Sequence, residues 1–100
     1  DTVGTERGLH RLQVMLERLV NAGTRYLVVD LSGLETIEHH ILAEFMWAVI
    51  MLRAQGGNMA FADPSEPLAA TLVQLGVDRM VRYYDTVDDA VVALRSSPPP

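Results

Sequence analysis

The chain has no cysteine and no lysine, and among its 100 residues it holds one tryptophan, two phenylalanines and three tyrosines. Without cysteine there are no disulfides, no thiol nucleophile and no Cys-ligated zinc, and the composition fits a reducing compartment, so a cytoplasmic location is expected. All eight basic residues are arginine, which rules out a Schiff-base lysine and the phosphate-gripping lysine of a P-loop. No apolar run reaches the roughly 18 residues of a membrane span, and no basic-then-apolar segment opens the chain. Neither membrane insertion nor a targeting segment is expected. Positive charge is also scarce, with 13 acidic residues against 8 basic and a net charge of -5. That balance argues against a nucleic-acid or anionic-membrane footprint and leaves a protein as the expected partner.

What is present is enough for one core, since 49% of the residues are hydrophobic and the length suits a single domain. From Thr5 to Ala22, Leu9, Leu12, Met15, Leu16, Leu19 and Val20 fall at helical spacing, and Gly23 is a natural stop. "RYLVVDLSG" then supplies an aliphatic run, Tyr26 to Val29, of the kind buried on both faces of a parallel sheet. A second helix is expected from His39 to Gln55, ended by Gly56 and Gly57, and a second strand in "NMAFAD". Ser65 as cap, Pro67 in the first turn and Gly76 as stop delimit a third helix. "VRYYD" reads as an edge strand, followed by a last helix capped by Thr86, with Asp88 and Asp89 on its positive end and Val87, Ala90, Val91 and Leu94 as its apolar stripe.

Alternating helices and strands predict an α/β fold with a mostly parallel sheet and about four helices. Three strands are too few to cover helices this apolar, so further strands are expected upstream of Asp1. The predicted organisation is one domain over residues 1–95, incomplete at its N-terminus, and a disordered Ser/Pro tail over 96–100.

The stretch "TIEHHILAE", residues 36–44, sits at the junction between the first strand and the long helix. Glu38, His39 and His40 invite a metal reading, but adjacent helical residues point about 100° apart and cannot chelate one ion as an i, i+4 pair does. The remaining histidine, His10, belongs to another predicted helix. An acid–base role for a histidine with Glu38 or Glu44 lacks an accompanying nucleophile or phosphate loop. Neither a metal, a cofactor nor catalysis is therefore expected, and exposed first-turn residues are the plain alternative. The helix itself is apolar nearly all round: Leu42, Phe45, Met46 and Val49 form one face, Ile41, Ala48 and Met51 a second, and Ala43, Trp47, Ile50 and Ala54 a third. Either missing strands or a neighbouring helix cover the surplus, or it docks a partner. From Tyr26 to Leu52 there are four acids, Asp30, Glu35, Glu38 and Glu44, and no arginine, so such a partner would be basic or neutral there.

The order of elements and four strings, "LVVDLSGLETI", "LRAQGGNMAFAD", "LVQLGVDRM" and "YYDTVDDAVVAL", resemble the STAS domain, the fold of bacterial anti-sigma factor antagonists and of the cytoplasmic tails of sulfate transporters. The likeness runs from residue 9 to 95. In that family the residues after the loop are typically Asp-Ser-Ser/Thr-Gly, and the first serine is phosphorylated by a partner anti-sigma factor that is also a kinase. The corresponding positions here are Glu38, His39, His40 and Ile41. By this resemblance His39 occupies a degenerate phosphoacceptor position, Ile41 replaces the small glycine that admits a neighbouring chain, and Thr36 and Ser32 are the nearest hydroxyls. The family normally places two strands before its first helix, in line with the strand shortage above.

The resemblance implies a non-catalytic regulatory domain, active in transcription control through protein–protein interaction. Its partner would be an anti-sigma factor of the serine-kinase type, engaged through Glu38, His39, His40, Ile41 and Glu44 without the serine switch. The alternative is a STAS scaffold or transporter-associated regulatory module. Partner identity and oligomeric state are not encoded in any motif.

Overall fold

The computed structural model describes residues 2–4 and 12–96. Strand β1 (Thr2–Gly4) is followed by helix α1 (Leu12–Asn21), β2 (Tyr26–Asp30), α2 (His39–Ala54), β3 (Asn58–Ala62), α3 (Glu66–Gln74), a 3-10 turn (Val77–Arg79), β4 (Tyr83–Tyr84) and α4 (Val87–Ser96). The strands lie in the order β1-β2-β3-β4, every pair parallel. The α/β class and the four helices are as expected, but the strand number is corrected from three to four. Thr2–Gly4 pairs with Val28–Asp30 along the free edge of β2. Three residues carry no readable alternation, so pairing rather than local pattern makes them a strand. The early part of the predicted first helix, with His10, falls outside the described residues, as does 97–100 of the predicted tail. Ser96 is the last residue of α4 rather than part of a tail.

Side chains alternate across β2 and β3 and so divide the core. Leu27, Val29, Met59 and Phe61 face one side, with Leu31 just beyond β2. There they are buried with Leu16 and Val20 of α1, Ile41, Leu42, Phe45, Ala48, Val49 and Leu52 of α2, and Leu68 and Leu72 of α3. Phe45 meets Phe61 edge to face, ring centroids 5.5 Å apart at 79°, the geometry favoured by the ring quadrupoles. On the other side Val28, Ala60 and Ala62 are buried with Ala90 and Leu94 of α4, and Tyr84, Val87 and Val91 pack partly buried against them. The two alanines of β3 leave room for α4 to approach closely.

Helix ends follow their sequence signals. Ser65 Oγ accepts the Leu68 N–H at 3.2 Å and Thr86 Oγ1 accepts that of Asp89 at 3.0 Å, each satisfying an otherwise orphan donor. At the end of α2 the Gly57 N–H donates to Leu52 O (2.8 Å) and the Gly56 N–H to Arg53 O (3.0 Å), with Gly56 at φ 82°; this is a Schellman stop. The chain then runs straight into β3, and the Asn58 N–H donates to Arg25 O at 2.8 Å. Arg53 secures the same corner, its Nε donating to Asn58 Oδ1 at 3.1 Å and its Nη2 to Met80 O.

The two glycines of that corner differ in what they need. A Cβ on Gly56 would meet nothing within 4 Å, whereas one on Gly57 would lie 1.7 Å from Arg25 O. Gly56→Ala is expected to cost about 1–2 kcal/mol from its left-handed backbone alone. Gly57→Ala has to push β2 and β3 apart and is expected to cost about 4 kcal/mol or more, the range of severe core lesions. Urea denaturation of the two variants measures the difference, and equal losses would contradict the close approach.

Candidate functional site

Parallel α/β sheets present their binding groups beyond the carboxyl ends of the strands, and that is where "TIEHHILAE" lies. The β2–β3 ladder continues one residue past β2, the Leu31 N–H donating to Ala62 O at 2.8 Å. Asp30 Oδ1 then accepts the Ser32 N–H at 3.0 Å, an Asx turn. The Leu34 N–H closes onto Leu31 O at 3.1 Å with Gly33 at φ 84°, so the loop reverses through a residue that can hold a positive φ. Leu34 and Ile37 pack partly buried against the core and pin the loop from beneath.

Glu38 is the N-cap of α2 at φ -68°, ψ 151°, without a side-chain cap bond. Its carbonyl accepts the N–H groups of Ile41 (3.0 Å) and Leu42 (3.1 Å). Its carboxylate instead lies 3.2 Å from His40 Nδ1, with the side chains 67% (His40) and 78% (Glu38) exposed, an arrangement too wet to contribute much stability. His39 is exposed as well, as are Glu35 and Thr36, while Ser32 is half-buried.

The five residues singled out from the sequence therefore do not form one surface. Glu38, His39 and His40 share the exposed first turn. Ile41 turns inward and is only 6% exposed, packed in the main core. It is one turn, two turns and three turns ahead of Phe45, Ala48 and Leu52, all buried, so helical phase places it on the core stripe. The expectation that Ile41 lies in an exposed docking spot is corrected accordingly. Glu44 is half-buried and lines a groove between α1 and α2 with Leu16, Glu17, Ala43 and Trp47.

The structure adds two acids that the reading of the junction left aside. Asp63 follows β3 and holds φ 54°, a conformation that aspartate tolerates better than most residues; its N–H donates to Tyr84 O at 2.8 Å. Asp85 directly follows β4. The signal was legible: "LVVD", "AFAD" and "RYYD" each close a strand run with aspartate. Asp30, Asp63 and Asp85 consequently line the carboxyl edge of three adjacent strands. Among the described residues no group of three or more histidines and acids is placed to hold a metal ion. The first turn of α2 thus presents one carboxylate and two imidazoles to solvent.

The unequal exposure of the first turn makes a sharp expectation about stability. Ile41→Arg buries a charge without a partner and is expected to cost about 3 kcal/mol or more. His39→Asp places a carboxylate on an exposed helix start and is expected to be neutral or to stabilise by up to about 1 kcal/mol. Denaturant titration of both proteins checks this, and a fully stable Ile41→Arg would contradict the inward orientation.

Known proteins share this framework. A family model for the STAS domain matches residues 9–90. A Thermotoga maritima protein named "Putative anti-sigma factor antagonist" is 26% identical over 81 residues, spanning 81% of this chain and 72% of that one. Its Thermotoga neapolitana homologue is 26% identical over 77 residues, spanning 77% and 68%. The NMR structure of the protein TM1081 superposes with a TM-score of 0.80 at 22% identity, covering 96% of this chain and 80% of that one. The Thermotoga maritima crystal structure superposes at 0.79 and 23% identity, covering 94% and 81%; at such identities these superpositions establish the fold. With the family match spanning most of the sequence and the parallel sheet, loop and long helix in the expected order, the chain belongs to the STAS domain family.

Proposed function

We propose that this domain is a regulatory protein-binding module of the anti-sigma factor antagonist kind, which engages its partner through the exposed start of α2 and does so without serine phosphorylation. The observation that carries the reading is the placement of His39. It stands exposed in the first turn of α2, where family resemblance puts the acceptor serine, and imidazole cannot receive phosphate from a serine kinase. The relatives' names supply the antagonist role. Glu38 and His40 flank His39, and the acids of the sheet edge, Asp30, Asp63 and Asp85, give the same end of the molecule a negative potential. A basic or neutral partner surface fits it. Binding rather than catalysis is the chemistry of such a surface. Among the described residues no helix is long and apolar enough to cross a membrane.

The test begins with capture of the partner from the native cell by the full-length protein, followed by calorimetry on the purified pair. Phosphorylation of the usual serine adds a charge of about -1.5 to -2 at this position, and His39→Asp introduces part of it. The substitution is expected to weaken binding about tenfold or more, or roughly 1.4 kcal/mol. Arg95→Ala, at the opposite end of the sheet, should leave affinity unchanged. Unchanged affinity for a folded His39→Asp protein would remove the helix start from the interface. Incubation with a cognate kinase and ATP should leave Ser32 and exposed Thr36 unmodified by peptide mass spectrometry, and stoichiometric phosphate on Thr36 would restore the switch at a displaced acceptor.

A further inference from the structure

The third face of α2, with Ala43, Trp47, Ile50 and Ala54, remains exposed in the folded domain. Trp47 is 39% and Ile50 54% exposed. Between α2 and α1 runs a groove of about 280 Å³ lined by Leu16, Glu17, Ala43, Glu44 and Trp47. Its walls carry two carboxylates and, among the described residues, no cation. Glu44 Oε2 is buried and, among the described residues, has no hydrogen-bond partner. A carboxylate oxygen can only accept, and an orphan charge held against apolar surface opposes folding. Sites that keep such a group sacrifice stability, and the usual reason is a partner that supplies the missing donor.

We propose that this groove takes an amphipathic segment of a partner protein, with one arginine or lysine meeting Glu44 and flanking apolar side chains packed on Trp47 and Ala43. The inference rests on reading the domain as a protein-binding module and deepens it by naming the chemistry of the docked segment. Glu44 is half-buried as a residue and lines the groove, so a docked cation meets its carboxylate from the groove side. A guanidinium offers a donor fork matched to that carboxylate. Trp47 offers a broad aromatic face for the apolar residues and for the cation's flank. Glu17, on the rim, adds attraction of the same sign. The groove begins one turn along α2 from His39 and His40, so one partner can cover both surfaces.

The test uses the full chain and a fluorescein-labelled, capped amphipathic helical peptide with leucines on one face and a single arginine among them. Matched peptides carry glutamine or glutamate in place of that arginine. The arginine peptide is expected to bind, and the glutamine and glutamate peptides to bind about tenfold or more weakly. Glu44→Gln and Trp47→Ala should each cause a loss of similar size, while Arg95→Ala leaves peptide binding unchanged. In the free chain, Glu44→Gln is expected to raise the thermal midpoint by a few degrees because it removes the unpaired charge. No binding of the arginine peptide, binding indifferent to Glu44 and Trp47, or a lowered midpoint in Glu44→Gln would each overturn the proposal, the last by revealing a partner within the chain. A Trp47-dependent dimer in sedimentation would assign the groove to a second copy and overturn it too. With the captured native partner, a loss in Glu44→Gln but not in His39→Asp keeps the groove and rejects the helix start; the reverse rejects the groove alone.

Discussion

The pairing of β2 with β3 is the constraint on which the rest of the structure depends. Five residues of each run in parallel register, Tyr26 beside Asn58 through Asp30 beside Ala62, and backbone bonds extend the ladder at both ends through Arg25 and Leu31. These strands are covered on both faces, so a slip of one residue would exchange the faces of every side chain and set Phe61 against α4 and Ala60 against Phe45. The glycine at 57 lets the strands start together, because any side chain there would collide with the Arg25 carbonyl. The shared start then fixes where the strands end, and so where the loop after β2 delivers the first turn of α2.

Most of this framework was legible in the sequence because local and long-range signals agree. The aliphatic run of β2, the paired glycines after α2, Ser65 and Thr86 as caps, and the apolar stripe of α4 each act through nearest neighbours and appear as expected. β1 was not legible, since a three-residue strand owes its conformation to the edge it joins. The 3-10 turn at Val77–Arg79 escaped for a similar reason: it is too short for periodicity to register.

The site was only partly legible. The exposed position of Glu38, His39 and His40 follows from their polarity at a helix start. Ile41 was misplaced because its family position suggested an outward residue, while its phase with Phe45, Ala48 and Leu52 pointed inward. In this chain a bulky apolar side chain at that position adds to the core instead of obstructing a docked surface. The surplus apolarity of α2 is divided the same way. Two of its faces are largely taken up within the domain, with Met46 and Met51 half-buried against the core, and the third stays open.

The two faces of the sheet are held very unequally. Three helices interlock on one side around the Phe45–Phe61 contact, while α4 rests on the other through a smaller cluster in which Ala90 and Leu94 are buried and Val87 and Val91 partly so. The domain consequently has two tiers of cooperativity. Release of α4 would expose a narrow strip of Val28, Ala60 and Ala62 and leave the larger core closed, so this helix is expected to open at less cost than α2 on the opposite face. Its amide protons are expected to exchange with solvent through that local opening, ahead of the strands beneath, whose exchange waits for the whole fold to come apart.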